Sequence, residues 1–273
     1  MMNVVGYLVA LVFIIFLSSS YTQSSAANSK ETRTKKTQTQ TQDSELDTNA
    51  LTIRGRFNCP TGFTRSNTTA NSWEAFLQNL PLKPHGTNVK HFDGTLKPNT
   101  AAYCAVIDLP FYGNQNYQCA DAIMRLRAQY LFEQKKYSEI QFAFVNGTLY
   151  NYQSFLGQRT PNASNLWTYL EKVFMYSSTL SLDKQLTPQL VTHLQIGDVF
   201  VKGGSPGHAV IVVDRCSNEN GDVKFMLAQS YMPAQDLQIL VGDDGKTPWY
   251  DLNFGDYLYS AEWTFTKEQL KRF

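Results

Sequence analysis

Gly203-Gly204-Ser205-Pro206-Gly207-His208-Ala209-Val210-Ile211-Val212-Val213-Asp214 is the stretch that decides how this chain reads. Glycines and a proline break regular structure, and the β-branched run behind them favours a strand. A loop therefore delivers the His208 imidazole onto the first position of an apolar strand. Upstream, Gln118-Cys119-Ala120-Asp121-Ala122 puts a thiol at the head of a helix. Cys119, Ala122, Ile123, Leu126, Tyr130 and Leu131 share one face at helical spacing, which predicts a helix over about 119–134. Arg125 and Arg127 fall off that face. Asn116 is the expected N-cap, and Asp121 sits in the first turn, where a carboxylate suits the helix dipole.

Working outward, Gly197-Asp198 reads as a turn before a strand Val199-Phe200-Val201. Asn218 to Gly221 reads as a turn before a return strand from Val223 to Ala228. Earlier elements are a helix over 72–80 stopped by Pro81, a short strand over 89–93, and a strand over 103–109. A hairpin follows around Asn146-Gly147, and then a helix over 167–174. Thr247-Pro248-Trp249-Tyr250 reads as loop, 259–265 as a strand and 267–273 as a helical turn. One prominent helix followed by consecutive strands is an α+β plan, an antiparallel sheet packed on a helix that carries Cys119 at its N-terminus.

The chain has 273 residues and a formal net charge of +1. That length can bury a substantial core. The near-neutral balance gives no electrostatic reason to expect nucleic acid or an anionic membrane surface as a partner. Residues 4–17 are almost continuously apolar and are followed by small residues, which predicts a signal peptide over 1–20, with an uncleaved anchor as the alternative. Residues 21–50 are rich in Ser, Thr, Gln and Lys and are expected to be a disordered tether. A single domain is expected over 51–273. Contact with a membrane is expected only through an uncleaved leader. In an exported chain Cys59, Cys104, Cys119 and Cys216 allow two disulfides in three pairings, Cys119 with Cys104 among them. No histidine pair has ligand spacing, so neither metal nor cofactor is expected, and His85, His91 and His193 receive no role.

A helix N-terminus favours a thiolate, because its unpaired N–H groups and dipole stabilise negative charge. A neighbouring imidazole acts as the base, and a third polar group orients the ring. Counting back from the turn at 218–221 brings Gln229 to Tyr231 beside His208. Gln229 interrupts an apolar strand, and its amide oxygen can accept a ring N–H. Asp214 shares a face with His208 but lies about 20 Å along the strand, too far to orient it. Cys119, His208 and Gln229 are the candidate catalytic residues. Tyr231, Trp249 and Tyr250 are candidates for lining a substrate groove.

Gly197-Asp198-Val199-Phe200-Val201, the glycine loop and Gly207-His208-Ala209-Val210-Ile211-Val212 resemble the histidine region of NlpC-type and CHAP-type cell-wall hydrolases. Those are papain-like enzymes that cut peptide or amide bonds in peptidoglycan. The resemblance covers roughly 118–231. It implies a papain-like fold, with Cys119 as nucleophile, His208 as base and Gln229 as orienting residue. Gln118 and Ala120-Asp121 depart from the usual surroundings of that nucleophile. A longer signature, Gln118-Cys119-Ala120-Asp121-Ala122, Arg125-Leu126-Arg127, Ser205-Pro206-Gly207-His208-Ala209 and Leu227-Ala228-Gln229-Ser230-Tyr231-Met232-Pro233-Ala234-Gln235, is similar to a family of exported bacterial proteins of unknown function. The expectation is a monomeric cysteine hydrolase of the periplasm or cell envelope acting on a peptide or peptidoglycan-like substrate. The alternative is an envelope binding protein of the same fold.

Overall fold

The computed structural model describes residues 46–273, and in it His208–Ser217 is a ten-residue strand. That strand lies within a nine-stranded sheet among the described residues, every pairing of which is antiparallel. The order across the sheet is Tyr103–Val106, Gln238–Leu240, Val223–Gln229, His208–Ser217, Val199–Lys202, Leu270–Arg272 and Thr187–Pro188. Thr64–Arg65 also pairs with His208–Ser217, and Trp249–Asp251 with Val223–Gln229. The architecture is α+β, a large antiparallel sheet with few helices.

Alternation along the strand explains its central place. Successive side chains point to opposite faces, and both faces here are apolar. Ala209, Ile211 and Val213 join the core shared with Ala122, Ile123 and Leu126 of the helix Cys119–Glu133. Val210 and Val212 join a second core with Phe200, Phe225, Leu227 and Phe265. That second face is covered by the hairpin of Tyr257–Tyr259 and Thr264–Thr266. Each fully buried aliphatic side chain contributes about 1.5–3 kcal/mol, so the strand is fixed from both sides.

Polar pairs secure the ends of this frame. Asp214 is buried, accepts a hydrogen bond from Gln78 Nε2 at 2.7 Å and pairs with Arg65 Nε at 2.9 Å. Asp198, in the Gly-Asp turn, pairs with Arg272 Nε at 2.6 Å and ties the turn to the last strand. Gly197 has φ +95°, and a Cβ there would stand 2.2 Å from Trp73 Nε1. Only glycine meets both conditions.

The predicted helices over 72–80 and 167–174 are Trp73–Gln78, capped by Ser72, and Ala163–Tyr176, capped by Asn162. The helix Thr179–Gln185 was not expected. Its signal is Ser178, whose oxygen accepts from Leu180 N while Ser181 Oγ accepts from Ser178 N. Several expectations are corrected. Residues 89–93 form isolated bridges, Lys90 to Leu96 and His91 to Gln235, and no strand. Trp249 and Tyr250 belong to a strand paired with Val223–Gln229, where their aromatic bodies fill the core. The chain ends in a 3₁₀ turn, Lys267–Gln269, and then the strand Leu270–Arg272.

The expected leader lies outside the described residues, as does the tether up to residue 45. Residues 46–50 pack onto the domain. Leu46 bridges Phe57, and the buried Arg56 guanidinium donates to the carbonyls of Ala50 and Lys83 at 2.5–2.9 Å. All four cysteines are free thiols, so Cys119 is not joined to Cys104. Cys59 and Cys216 lie close enough to perturb each other's thiol, lowering Cys59 and raising Cys216. Among the described residues no helix is long and apolar enough to cross a membrane.

Candidate functional site

Cys119 opens its helix, as the sequence predicts, but the N-cap is Gln118 and not Asn116. Tyr117 N turns back onto Asn114 O and Gln118 N onto Asn116 O. These turns occupy Asn116 before the helix begins, and its backbone N–H is taken by Asn114 Oδ1 at 2.9 Å. Gln118 N also donates to Asp121 Oδ2 at 2.9 Å, which closes the first turn.

His208 arrives where expected, paired with Lys202 at the start of its strand. The approach is tight at Gly207. A Cβ there would lie 2.3 Å from Gly204 O and 2.4 Å from Thr179 Oγ1. The glycine lets the loop close over the unexpected helix Thr179–Gln185, whose Thr179 Oγ1 donates to Gly204 O at 3.2 Å. Cys119 and His208 line one cavity of about 380 Å³, together with Gln118, Asp121, Tyr231 and Trp263. The backbone N–H of Ala209, the residue after His208, favours the Cys119 thiolate.

Gln229 is fully buried at the end of its strand and accepts at Oε1 from His208 Nε2, 2.7 Å away. The ring is packed by aromatic neighbours, with Tyr231 edge-on at 4.8 Å and Trp263 at 5.3 Å between centroids. Behind Gln229 stand two residues that the sequence reading does not name. Gln229 Nε2 donates to Glu262 Oε2 at 2.7 Å, and the same carboxylate oxygen takes the buried ammonium of Lys97. Lys97 also lies 5.5 Å from the centre of the Tyr231 ring. Lys97 and Glu262 are far apart in the chain and lie outside its helices and strands. The sequence signal available was an acidic residue directly before Trp263 in a chain otherwise reading as strand.

The electrostatics favour a neutral resting pair. Burial pushes the Cys119 thiol up to about 11, and the neighbouring Asp121 charge adds to the rise. Backbone N–H groups of Ala209, Ala120 and Cys119 pull the other way without prevailing. Burial lowers His208 to about 4, against the raising effects of the Gln229 hydrogen bond and the Glu262 charge. Asp121 departs from the dipole expectation. Burial lifts it to about 8, although the N–H groups of Gln118 and of Asp121 itself lower it. Its carboxyl is therefore largely protonated at neutral pH, and Oδ1 has no hydrogen-bond partner among the described residues.

Of the expected groove residues, Tyr231 lines the cavity. Trp249 and Tyr250 do not, because their ring edges are anchored elsewhere: Trp249 Nε1 donates to Asn58 O at 3.0 Å, and the Tyr250 hydroxyl donates to Val241 O. Arg125 is buried, its guanidinium 5.2 Å from the Trp167 ring centre, and Arg127 lies 5.3 Å from that of Trp73. Arg127 is half-buried. Among the described residues no group of three or more His, Cys, Asp or Glu side chains is arranged to hold a metal ion.

No curated protein and no solved structure matches the chain. One family model does, over residues 53–272, and it spans the thiol, the imidazole and the groups behind it. The chain belongs to the DUF4846 family, described as Domain of unknown function (4846).

Proposed function

We propose that this protein is a papain-like cysteine hydrolase of the cell envelope that cleaves a peptide or amide bond, with peptidoglycan stem peptides as the substrate class. The observation that carries the reading is that Cys119 and His208 line one cavity, with the His208 ring held by Gln229. A thiol at a helix head, an imidazole at a strand start and an amide orienting the ring are the three parts such chemistry requires.

In this reading His208 takes the Cys119 proton as the sulfur attacks the carbonyl carbon. The resulting oxyanion is received by the backbone N–H of Cys119, one of the first-turn donors that have no helical partner. Collapse breaks the C–N bond, and the imidazolium gives its proton to the departing amine. Water, deprotonated by the same imidazole, then attacks the thioester, and cleavage of the C–S bond returns the thiol. Both partners are neutral at rest, so the charges are best created together. Two opposite charges about 4 Å apart attract by about 4 kcal/mol at an effective dielectric of ~20.

The raised thiol pKa favours a second reading, a binding protein whose cavity holds peptide or glycan without reaction. Incubation with muropeptides followed by mass spectrometry separates the two. The hydrolase reading expects new cleavage products that vanish in Cys119→Ala and His208→Ala. Bound but intact muropeptides would replace it with the binding reading.

A further inference from the structure

The ion pair behind Gln229 is largely withdrawn from solvent, and its placement is costly. Lys97 is 4 % exposed, and burial lowers its ammonium below the usual range despite the carboxylate beside it. A buried charge is expensive unless paired, and burying a pair where an apolar contact would serve calls for a reason. The geometry supplies one. A glutamine amide is nearly symmetric in shape, and its two ends differ only in hydrogen-bonding sense. Here one end faces the Glu262 carboxylate, which in its ionised form accepts only. The donating Nε2 is therefore drawn to Glu262, and Oε1 is left for His208. The reversed amide would set oxygen against a carboxylate.

The consequence passes to the ring. An acceptor at Oε1 requires a proton on His208 Nε2. In the neutral imidazole Nδ1 is then bare, and the ring has no other hydrogen bond among the described residues. We propose that Lys97 and Glu262 are positioning residues of the thiol site, which fix the Gln229 amide and through it hold the neutral His208 ring in the form protonated at Nε2, with Nδ1 as the free base. The purpose of this arrangement rests on the hydrolase reading, while the arrangement itself does not.

Nitrogen NMR of histidine-labelled protein reads the tautomer directly. The wild-type protein at neutral pH is expected to show His208 as a single form protonated at Nε2. Glu262→Gln, whose amide donates as well as accepts, is expected to show both forms. It should also slow the His208-dependent alkylation of Cys119 by iodoacetamide about tenfold, the size of one lost hydrogen bond. Glu262→Asp, which keeps the charge, should restore much of the single form. Lys97→Met, which removes the counter-charge and keeps the apolar stem, should behave as Glu262→Gln. A proton on Nδ1 in the wild-type protein overturns the proposal even if no variant folds. An unchanged single tautomer in a folded Glu262→Gln overturns it as well. A tautomer that shifts as expected, with alkylation of Cys119 indifferent to His208→Ala, sinks the hydrolase reading and leaves the positioning role standing.

Discussion

At the scale of single residues, burial outweighs the helix dipole. A thiol at a helix head is expected to ionise easily, yet Cys119 is pushed up to about 11. Asp121 contributes only when charged, which it becomes as the pH passes about 8. Asp121→Asn should therefore leave the rate of Cys119 alkylation near pH 7 unchanged and raise it above pH 8. Rates of iodoacetamide labelling across pH check this, and an equal effect at both ends would remove Asp121 from the account. Gln229 makes a different kind of contribution. Gln229→Ala strands His208 Nε2 in the interior, while Glu262 keeps Lys97 and Asn99, and an unsatisfied buried group costs about 1–3 kcal/mol. Urea unfolding should show a loss of that order, where a loss of a few tenths would mean that water fills the gap.

At the scale of elements, the order of local signals explains what the sequence reveals. The helix at Cys119, the strand at His208 and the return strand to Gln229 are legible because periodicity, glycines and an apolar run agree over long stretches. The pairing of Ile211 with Ala228 and a bulge between Val212 and Asp214 bring Gln229 to the ring, within the range reached by counting from the turn. Trp249 and Tyr250 are misread because Pro248 next to them signals a loop, while tertiary pairing with Phe225 and Met226 makes a strand of three residues. Lys97 and Glu262 are invisible for another reason. They meet across 165 positions of chain, and no local pattern encodes such a meeting. The same applies to the loop at Gly207, whose need for glycine arises from Thr179 and Gly204. Gly207→Ala should cost about 1–3 kcal/mol by overpacking and should reduce the His208-dependent part of Cys119 labelling. Thermal melting together with labelling tests this. Gly221→Ala, strained by a φ of +87° in a turn outside the cavity, is the control for the labelling, since it destabilises the chain without touching the His208 loop.

At the scale of the whole molecule, two buried groups of the same cavity bend stability in opposite directions. His208 is lowered from 6.5 to about 4, so across that interval the unfolded chain binds more protons and stability rises with pH. Asp121 is raised from 3.8 to about 8, so the folded chain binds more protons and stability falls as pH rises through that interval. The two slopes oppose one another between about 4 and 6.5. Asp121→Asn should uncover a stability that climbs with pH there, and His208→Gln one that declines. Denaturant midpoints at several pH values decide this, and parallel curves for both variants would show that the two groups do not titrate as described.

The aromatic wall around the imidazole has an optical consequence. Excited indole gives up an electron more readily to imidazolium than to neutral imidazole. Trp263, 5.3 Å from the His208 ring, therefore has emission that depends on the charge of that ring. The fold carries its own lamp beside the base, and its brightness should dim when His208 takes up a proton, whether from acid or from Cys119.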